Sequence, residues 1–445
     1  MERNFKTKED VLKLAREKGV RSIRLMFMDL TGINKNVEIP IQDLEYALDG
    51  KMMFDGSSIE GFARIEESDM YLRPDPSTFV VFPWSKANKK VARLICDIYN
   101  PDGTPFAGCP RQMLKRILKQ AEDMGYRMAV GPEAEFFLFH LDEKGIATTN
   151  THDQGGYFDL SPIDKGEDCR QDIVEYLEQM GFKVEASHHE VSPGQHEIDF
   201  AYSNALDTAD NLATFRMVVR TVARDHGLHA TFMPKPIFGI NGSGMHANQS
   251  LYTNGTNAFY DPEGKDGLSE VCLNYIAGLL HYASEYTAIT NPLVNSYKRL
   301  VPDYEAPVYI AWSGRNRSPL VRVPAVRKNK TRVELRSPDP SCNPYLAFGV
   351  MLAAGLEGVK QKMDPGDPIE QNVFDICRHD RESMNIKSLP ASLKEALEHL
   401  SQSSLMKKAL GEHIFNNFIK IKTMEWNLYN EQVHKWEIDR YLSLY

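Results

Sequence analysis

A change in hydrophobic pattern near residue 105 is the feature that most constrains the fold of this chain. Short stretches of β character, separated by turn residues, come before it at residues 22–28, 79–82 and 91–98. After it, apolar residues recur at spacings of three and four between Pro110 and Gly125, which indicates an amphipathic helix. We therefore expect a small strand-rich N-terminal domain over residues 1–105 and a larger domain over residues 106–445.

Helix-like and strand-like stretches are interleaved beyond the boundary. Helical periodicity is found at residues 170–180, 209–225 and 269–288, and most of the chain from Leu346 onward is predicted to be helical. This mixture predicts an α+β fold for the larger domain.

The composition excludes several classes of protein. The 445 residues include 52 basic and 61 acidic side chains, so the formal net charge is −9, which argues against a general nucleic-acid binder. The chain contains no run of roughly 20 apolar residues that would span a membrane, and its charged first ten residues do not resemble a signal peptide. The six cysteines have no C-x-x-C spacing, so we expect reduced thiols. A cytoplasmic protein is the expectation.

Four predicted strand segments alternate polar and apolar residues. Glu133 and Glu135 are two apart and therefore share a strand face. A turn at residues 192–194 could bring Glu190 back toward Glu197. Together the four segments supply five carboxylates and one imidazole: Glu133, Glu135, Glu190, Glu197, Glu334 and His246.

Each segment alone is also compatible with an ordinary solvent-exposed strand face. As a set, carboxylates and one imidazole are hard ligands that favour Mg²⁺ or Mn²⁺ over Zn²⁺. Two divalent ions would supply a charge of +4 against −5 from the five carboxylates, so the excess negative charge could accommodate a third ion. A zinc hydrolase would need an H-E-x-x-H helix, and the chain has none.

Nucleotide binding is possible without the common phosphate loops. Residues 242–247 fit the dinucleotide-binding pattern G-x-G-x-x-A, but the alternation of polar and apolar residues after them predicts a strand, whereas that motif opens a helix. No P-loop motif occurs in the chain. Any phosphates would therefore be held by metals and arginines. Five arginines lie close together in sequence, beside a loop at residues 301–307 that carries Glu305: Arg299, Arg317, Arg322, Arg332 and Arg336. This set indicates phosphoryl transfer to an anionic substrate.

Longer motifs give the chain a family resemblance from end to end. They are MFDGSSIEGF at 53–62, GPEAE at 131–135, NGSGMH at 241–246, NSYKRL at 295–300, RVELRSPDP at 332–340 and NPYL at 343–346. In these motifs and their order the chain resembles bacterial type I glutamine synthetases of the shorter, Gram-positive-like form. The resemblance implies an N-terminal β-grasp domain and a catalytic domain with a curved antiparallel sheet flanked by helices. It also implies a homo-dodecamer of two hexameric rings with active sites between neighbouring subunits.

The resemblance also implies residue roles. One metal would be held by Glu135, Glu190 and Glu197, and a second by Glu133, His246 and Glu334. Glutamate would be held by Asn241, Gly242, Arg299, Glu305, Arg317 and Arg336, and ATP by Glu185, Tyr202, Ser250, Arg317, Arg322 and Arg332. The implied catalytic residues are Asp55, acting on the next subunit's site, Arg317, and Glu305, which would shield the acyl phosphate from water.

The implied reaction joins ammonia to L-glutamate through γ-glutamyl phosphate, with ATP as co-substrate and two to three Mg²⁺ or Mn²⁺ ions per site. Arg64 corresponds to a residue linked to feedback by glutamine. Phe374 stands where the longer form has its adenylylated tyrosine, so that modification is excluded. The chain departs from its relatives at Asp303 and at residues 327–330, whose effects stay open.

Three alternatives accompany this interpretation. A γ-glutamyl-amine ligase would keep the metals and ATP but use a larger amine, although the carboxylate of Asp55 suits ammonium. A catalytically inactive relative would be expected to lack metal ligands, and all six are present. A partnership with a nitrogen-responsive transcription regulator is compatible with the resemblance but has no motif of its own.

Overall fold

A computed structural model describes residues 6–59, 61–62, 69–302, 304 and 306–445. The N-terminal part forms a five-stranded sheet in the order β2-β1-β5-β4-β3, in which β1 and β5 are parallel and the other neighbours antiparallel. Its strands are β1 (Val20–Met28), β2 (Asn34–Pro40), β3 (Met52–Asp55), β4 (Asp69–Val81) and β5 (Lys90–Tyr99), and its helices are α1 (Lys8–Glu17) and α2 (Leu44–Leu48).

Helix α1 was not predicted from the strand-rich pattern. Thr7 caps it by accepting a hydrogen bond from the backbone of Asp10, and the Asp10 carboxylate accepts one from the Thr7 backbone. This reciprocal capping stabilises a helix whose buried residues, Val11 and Ala15, lie four apart on one face.

The larger part is built on an antiparallel sheet in the order β15-β16-β17-β12-β6-β9-β8, with one parallel pair, β15 and β16. Its long strands are β6 (Arg127–Leu141), β8 (Val184–His189), β9 (Gln195–Phe200) and β12 (Met245–Thr253). Shorter strands are β7 (Ala147–Thr151), β10 (Ser203–Asn204), β11 (Leu228–Thr231), β13 (Thr256–Asn257), β14 (Tyr309–Ile310), β15 (Trp312–Ser313), β16 (Val321–Arg322), β17 (Val333–Leu335) and β18 (Lys387–Ser388).

Helices cover one face of this sheet and extend to the C-terminus. They are α3 (Pro110–Asp123), α4 (Glu167–Gln179), α5 (Ala205–Asp225), α6 (Glu270–His281), α7 (Ala283–Thr290), α8 (Ser296–Arg299), α9 (Pro344–Gln361), α10 (Arg378–Ser383), α11 (Leu393–Gln402), α12 (Ser404–Leu410), α13 (Glu412–Asn430) and α14 (Lys435–Tyr441). The predicted α+β architecture is confirmed.

Two helical predictions need correction. The single helix expected over residues 269–288 is two helices, because Tyr282, with φ −94° and ψ 8°, leaves the helical conformation between α6 and α7. The C-terminal region is also less continuous than expected, since α9 and α11 are separated by a 3-10 helix (Val373–Asp375), the short helix α10 and the two-residue strand β18.

Strand β6 separates the core from a polar face. The side chains of Val130, Ala134 and Phe136 are fully buried in the core that the helices cover. Because successive side chains of a strand point to opposite faces, Glu133 and Glu135 face the other way. The sheet therefore presents carboxylates on the side away from α5 and α9.

A buried ion network joins the two parts of the chain. Arg111, in the first turn of α3, donates to Asp75 and Asp97 of the N-terminal sheet and to Asp210 of α5 at 2.7–3.0 Å. Its guanidinium group is almost completely buried, so each acid offsets part of its desolvation. The network fixes the N-terminal sheet against the helices behind β6.

All six cysteines are free thiols; five are buried, and Cys377 is exposed. In the described part of the chain, no helix has both the length and the apolar character needed to cross a bilayer.

Candidate active site

Three strands of the sheet bring Glu133, His246 and Glu334 together. His246 on β12 is the register partner of Glu133 on β6, and β17, which carries Glu334, pairs with β12 on its other side. Nδ1 of His246 lies 3.3 Å from Oε2 of Glu133 and 3.8 Å from Oε1 of Glu334. We call these three residues the strand group. Their donor atoms lie within 4.8 Å of one another.

Cationic and amide side chains balance the charge of the strand group. Glu334 is buried between Arg322, whose Nη1 lies 2.7 Å from Oε2, and Arg336, which contacts Oε1. Burial raises the pKa of Glu334, but Arg336 and His246 outweigh it, so the pKa is lowered. Burial also opposes ionisation of Glu133, yet His246 and Asn248 lower its pKa to about 2. Both carboxylates are therefore ionised at neutral pH.

A hairpin forms the second acidic group. The turn between β8 and β9 places Glu190 near Glu197, and His188 lies between them, with Nδ1 3.6 Å from Glu190 Oε1 and Nε2 3.4 Å from Glu197 Oε1. We call His188, Glu190 and Glu197 the hairpin group. Their donor atoms also lie within 4.8 Å of one another.

Glu135 adjoins the hairpin group from β6. It is the register partner of Glu197, and its Oε2 accepts hydrogen bonds from Gln195 Nε2 at 2.8 Å and the backbone N–H of Gly244 at 2.9 Å. Burial, together with the charges of Glu190 and Glu197, raises the pKa of Glu135 well above its usual value, although Arg299 acts in the opposite direction.

The hairpin side carries more uncompensated negative charge than the strand group. Burial and the neighbouring carboxylates, Asp199 first among them, raise the pKa of Glu197 well above its usual value. Buried carboxylates that raise one another's pKa gain most from a divalent cation, which offsets both desolvation and repulsion. Oxygen donors with one imidazole per group fit a hard divalent ion. The donor set therefore suits metal binding at both groups.

A cavity of about 440 Å³ adjoins the strand group. It is lined by Glu133 and by four of the six residues predicted to contact ATP: Glu185, Tyr202, Ser250 and Arg332. Nε of Arg332 donates to Asn248 at 2.8 Å, and Nδ2 of Asn248 donates to Glu133 at 2.8 Å. The cavity wall and the strand group are thus connected by hydrogen bonds.

Arg322 and Arg317, the other two residues predicted for ATP, lie elsewhere. Arg322 contacts Glu334, while Arg317 is exposed and lies close enough to Tyr157 to act electrostatically on its hydroxyl. Lys330 and Asn329, from a segment where the sequence departs from its relatives, also line the cavity.

Asn241 and Gly242, two of the residues predicted to hold glutamate, lie in a loop that contacts the hairpin. The carbonyl of Asn241 accepts a hydrogen bond from Ser192 Oγ, and that of Gly242 accepts one from Gln195 Nε2. A side chain at Gly242 would place Cβ 2.1 Å from the carbonyl oxygen of Pro234, so glycine is required there. The loop is therefore packed directly against the hairpin.

Two arginines of the glutamate set are engaged with the protein itself. The buried guanidinium group of Arg299 donates to the carbonyls of Ser337 and, less closely, of Arg336 and Pro338. Arg336 contacts Glu334. Both guanidinium groups nevertheless lie beside the polar face, since Arg299 acts electrostatically on Glu135 and Arg336 on Glu334.

Asp55 ends strand β3 on the N-terminal sheet. Its Oδ1 accepts hydrogen bonds from the backbone and hydroxyl of Ser57 at 2.8 and 2.6 Å, and these bonds lower its pKa. The side chain is exposed. Arg64, Asp303 and Glu305 lie outside the described residues.

Sequence reasoning did not identify four residues of this region. His188 belongs to the hairpin group, and strand alternation opposite Glu197 was the available signal. Asp199, two residues after Glu197, lines the cavity, and burial together with Glu133 raises its pKa to about 7. Tyr157 and the adjacent Phe158 stack at 4.0 Å and place their edges against the His188 ring. No periodicity pointed to this aromatic pair.

Comparison with known proteins places this geometry in a family. Residues 19–101 match the family model for the glutamine synthetase beta-Grasp domain, and residues 107–441 match that for the glutamine synthetase catalytic domain. A glutamine synthetase of Staphylococcus aureus strain Mu50 is 58% identical over 440 residues, 99% of each chain. One of Staphylococcus epidermidis is 56% identical with the same coverage.

Solved structures agree with the sequence comparison. A GmaS/ADP complex superposes with a TM-score of 0.89 at 32% identity, covering 98% of this chain and 99% of the other. A Plasmodium falciparum glutamine synthetase gives a TM-score of 0.87 at 25% identity, with the same coverage. The family models, the full-length relatives and the shared architecture together show that this chain belongs to the glutamine synthetase family.

Proposed function

We propose that this chain joins ammonia to L-glutamate with ATP, giving L-glutamine, ADP and phosphate, at the site formed by the strand group and the hairpin group. The observation that carries the proposal is the position of Glu133, which belongs to the strand group and also lines the cavity. A nucleotide in that cavity would have its phosphates next to two sets of cation ligands.

One proposed metal site combines Glu135 with the two carboxylates of the hairpin group, and the other is the strand group. Glu135, Glu190 and Glu197 would hold one Mg²⁺ or Mn²⁺ ion, and Glu133, His246 and Glu334 a second. Asp199 lines the cavity, and its carboxylate would be an additional ligand for a third ion. When bound, such ions neutralise charge on the phosphoryl group and on glutamate.

The cavity is the proposed nucleotide site. Glu185, Tyr202, Ser250 and Arg332 line it, and Arg322 contacts Glu334 of the adjoining strand group. The similar GmaS structure contains ADP, which supports a nucleotide site in this architecture. Arg317, exposed beside Tyr157, is proposed to stabilise the transferring phosphoryl group.

Glutamate is proposed to lie between the loop at residues 241–244 and the arginines. Asn241 and Gly242 would present backbone and amide groups, while Arg336 and Arg317 would attract its carboxylates. Arg299 would support the same pocket through its contacts with residues 336–338. The proposed role of Glu305, to shield the intermediate from water, comes from the family resemblance.

Two transfer steps account for the products. An oxygen of the glutamate γ-carboxylate attacks the γ-phosphorus of ATP, the bond to the β-phosphate oxygen breaks, and ADP leaves. Ammonia then forms a C–N bond at the acyl carbon, phosphate leaves as the C–O bond breaks, and the new amide nitrogen loses one proton to phosphate or solvent. Asp55 would bind ammonium through its ionised carboxylate and accept the proton that ammonium loses before attack once the neighbouring subunit's site encloses it, because loss of solvent makes a carboxylate more basic.

Asp55 is proposed to act on the site of a neighbouring subunit. Its carboxylate is exposed on the N-terminal sheet, where it is held by Ser57. The family resemblance adds four further points to the proposal. They are an assembly of twelve subunits in two hexameric rings, a cytoplasmic location, glutamine feedback through Arg64, and contact with a nitrogen-responsive transcription regulator.

The proposal is tested by incubating the purified protein with ATP, glutamate and Mg²⁺ or Mn²⁺, and either ammonium or a panel of larger amines. Glutamine formed with ammonium, together with stoichiometric phosphate, is the expected result. Turnover confined to a larger amine would assign the chain to the amine-ligase branch instead.

A further inference from the structure

A second layer of buried polar side chains lies behind the hairpin group. His188 and Glu197 are register partners that face the candidate active site, so the next pair, His189 and His196, points to the opposite side of the hairpin. The second layer, in which no residue is more than 7% exposed, consists of His152, Asp153, Asp164, Arg170, His189 and His196.

The protonation of this layer argues against a metal centre. Nitrogen and oxygen atoms of His152, Asp153, Asp164 and His196 lie within 4.8 Å of one another, as metal ligands would. However, Nη1 of Arg170 lies 3.0 Å from Nδ1 of His196, and arginine can only donate. Nδ1 of neutral His196 therefore accepts, so its proton is on Nε2, the atom a metal would need.

His152 continues the network. Its Nδ1–H donates to the carbonyl of Leu138 at 3.0 Å, and its Nε2 lies 3.0 Å from the Asp153 carboxylate and 3.3 Å from Nε2 of His196. The layer is thus a hydrogen-bonded network that runs from Arg170 to strand β6.

Asp153 is the centre of the network. Its carboxylate accepts from the backbone N–H groups of Gly194 at 2.9 Å, Lys165 at 3.2 Å and Gly155 at 3.3 Å, and from Nε2 of His189 at 3.2 Å. It also lies 3.0 Å from Nε2 of His152. With 4% of its surface exposed, Asp153 has its charge solvated by the protein itself.

These contacts hold both ends of the turn that carries Glu190. At one end, His189 joins Asp153 through Nε2 and the carbonyl of Glu190 through Nδ1, at 2.6 Å. At the other end, the backbone N–H of Gly194 is bound to the same carboxylate. One buried side chain therefore fixes the turn from behind, while the Glu190 carboxylate faces His188.

We propose that Asp153 is a positioning residue that orients Glu190, through His189 and Gly194, for divalent-cation binding. The inference rests on the proposed function, because it assigns Glu190 a cation. Loss of an outer-shell partner of this kind typically weakens metal affinity about 10- to 100-fold.

The test is direct titration of the full-length protein with Mn²⁺, with free Mn²⁺ measured by electron paramagnetic resonance. Asp153→Asn is expected to weaken one class of Mn²⁺ site about 10- to 100-fold, while ATP affinity stays within about twofold. Glu190→Gln identifies that class, since it removes a ligand. Unchanged Mn²⁺ binding in Asp153→Asn would overturn the inference.

Asp29→Asn is the matched control. Asp29 is also 4% exposed and closes a turn by accepting from Thr31 Oγ1 and the backbone of Ile33, but that turn joins β1 to β2 in the N-terminal part. The Asp29→Asn variant should leave Mn²⁺ binding unchanged. If it lost as much Mn²⁺ affinity as Asp153→Asn, the loss would be a general effect of destabilisation, and the inference would be overturned.

A second variant covers the case in which Asp153→Asn does not fold. His189→Gln keeps a donor near Asp153 but loses the contact of Nδ1 with Glu190, so it should weaken the same class of Mn²⁺ site. Normal binding by folded His189→Gln would contradict the positioning role. If the wild-type protein bound no Mn²⁺, the proposed metal sites themselves would be wrong.

Discussion

Glu135 on β6 and Glu197 on β9 are register partners, and both carboxylates are buried. Burial raises the pKa of both carboxylates, and neighbouring acids add to this effect: Glu190 and Glu197 at Glu135, and Asp199, Glu133 and Glu190 at Glu197. A fold that keeps this arrangement gives up stability that a bound cation would restore. The relationship is therefore the structural basis for expecting metal at the hairpin group.

Glu197→Gln should abolish most glutamine formation while making the cation-free protein more stable. The amide removes one of the repelling charges, which stabilises the cation-free protein. It also removes a cation ligand, so activity should fall by more than about 100-fold, the upper end of the effect expected when a residue behind the ligands is changed. Melting temperatures in EDTA and in saturating Mn²⁺ measure the first effect. A variant less stable than wild type in EDTA, yet fully active, would contradict this account of the hairpin group.

The cation-free protein should lose stability as the pH rises toward 8. Asp199 has a pKa raised to about 7, so the folded state holds its proton more tightly than the unfolded state does. Its contribution to stability is complete below the ordinary aspartate pKa of about 4 and is lost as the pH rises through about 7. Urea unfolding in EDTA at pH 5, 6, 7 and 8 measures this loss.

Asp199→Asn provides the control for this pH dependence. The amide does not titrate, so the variant should lose less stability than wild type over the same pH range. Identical slopes for the two proteins would show that Asp199 is not the responsible group.

Gly155→Ala should destabilise the protein by about 1–3 kcal/mol, the usual cost of overpacking a buried site. An added Cβ would lie 2.7 Å from Nε2 of His189, whereas at the adjacent Gly156 the nearest atom would be Asp159 Oδ2 at 3.7 Å. Gly156→Ala should therefore change the free energy of unfolding by no more than about 0.5 kcal/mol. Equal effects in denaturant unfolding would refute the close packing described for His189.

Arg111→Met should cost about 3–5 kcal/mol, because it leaves buried acids without their partner. The exposed pair of Arg378 and Glu382 serves for comparison, and Arg378→Ala should leave the stability almost unchanged. Thermal unfolding of both variants checks the contrast. A small effect at Arg111 would mean that the N-terminal sheet is held mainly by other contacts.

Asp55→Ala and Glu197→Gln should complement each other when co-expressed. If Asp55 serves a neighbouring subunit, random mixing leaves about one site in four with both wild-type residues, so about a quarter of wild-type activity should return. Each variant expressed alone is the control. Activity no higher than the sum of the two single variants would argue that Asp55 acts within its own chain or outside the site.

Local patterns predicted much of the polar face, because alternation along a strand follows directly from the backbone. Glu133 and Glu135 were placed on one face in this way, and His246 in an alternating strand. The sequence could not reveal that β12 and β9 flank β6, since pairing between distant strands depends on the packing of the whole core. Adjacent His188 and His189 show the same limit, because only the hairpin register determines which one faces the site.

Helix boundaries were predictable where a local signal exists and wrong where packing decides. Gly125 and Gly181 end α3 and α4 as expected, both with positive φ. The break at Tyr282 has no proline or glycine to announce it, so apolar periodicity suggested one continuous helix. Helix α1 was missed although Thr7 and Asp10 carry a capping-box spacing.

The most direct test of the central claim is anomalous diffraction from crystals of the full-length protein soaked in Mn²⁺. The account predicts two strong peaks per chain, one among Glu135, Glu190 and Glu197 and one among Glu133, His246 and Glu334. Crystals of an enzyme that forms glutamine but shows no peak at either group would contradict the account.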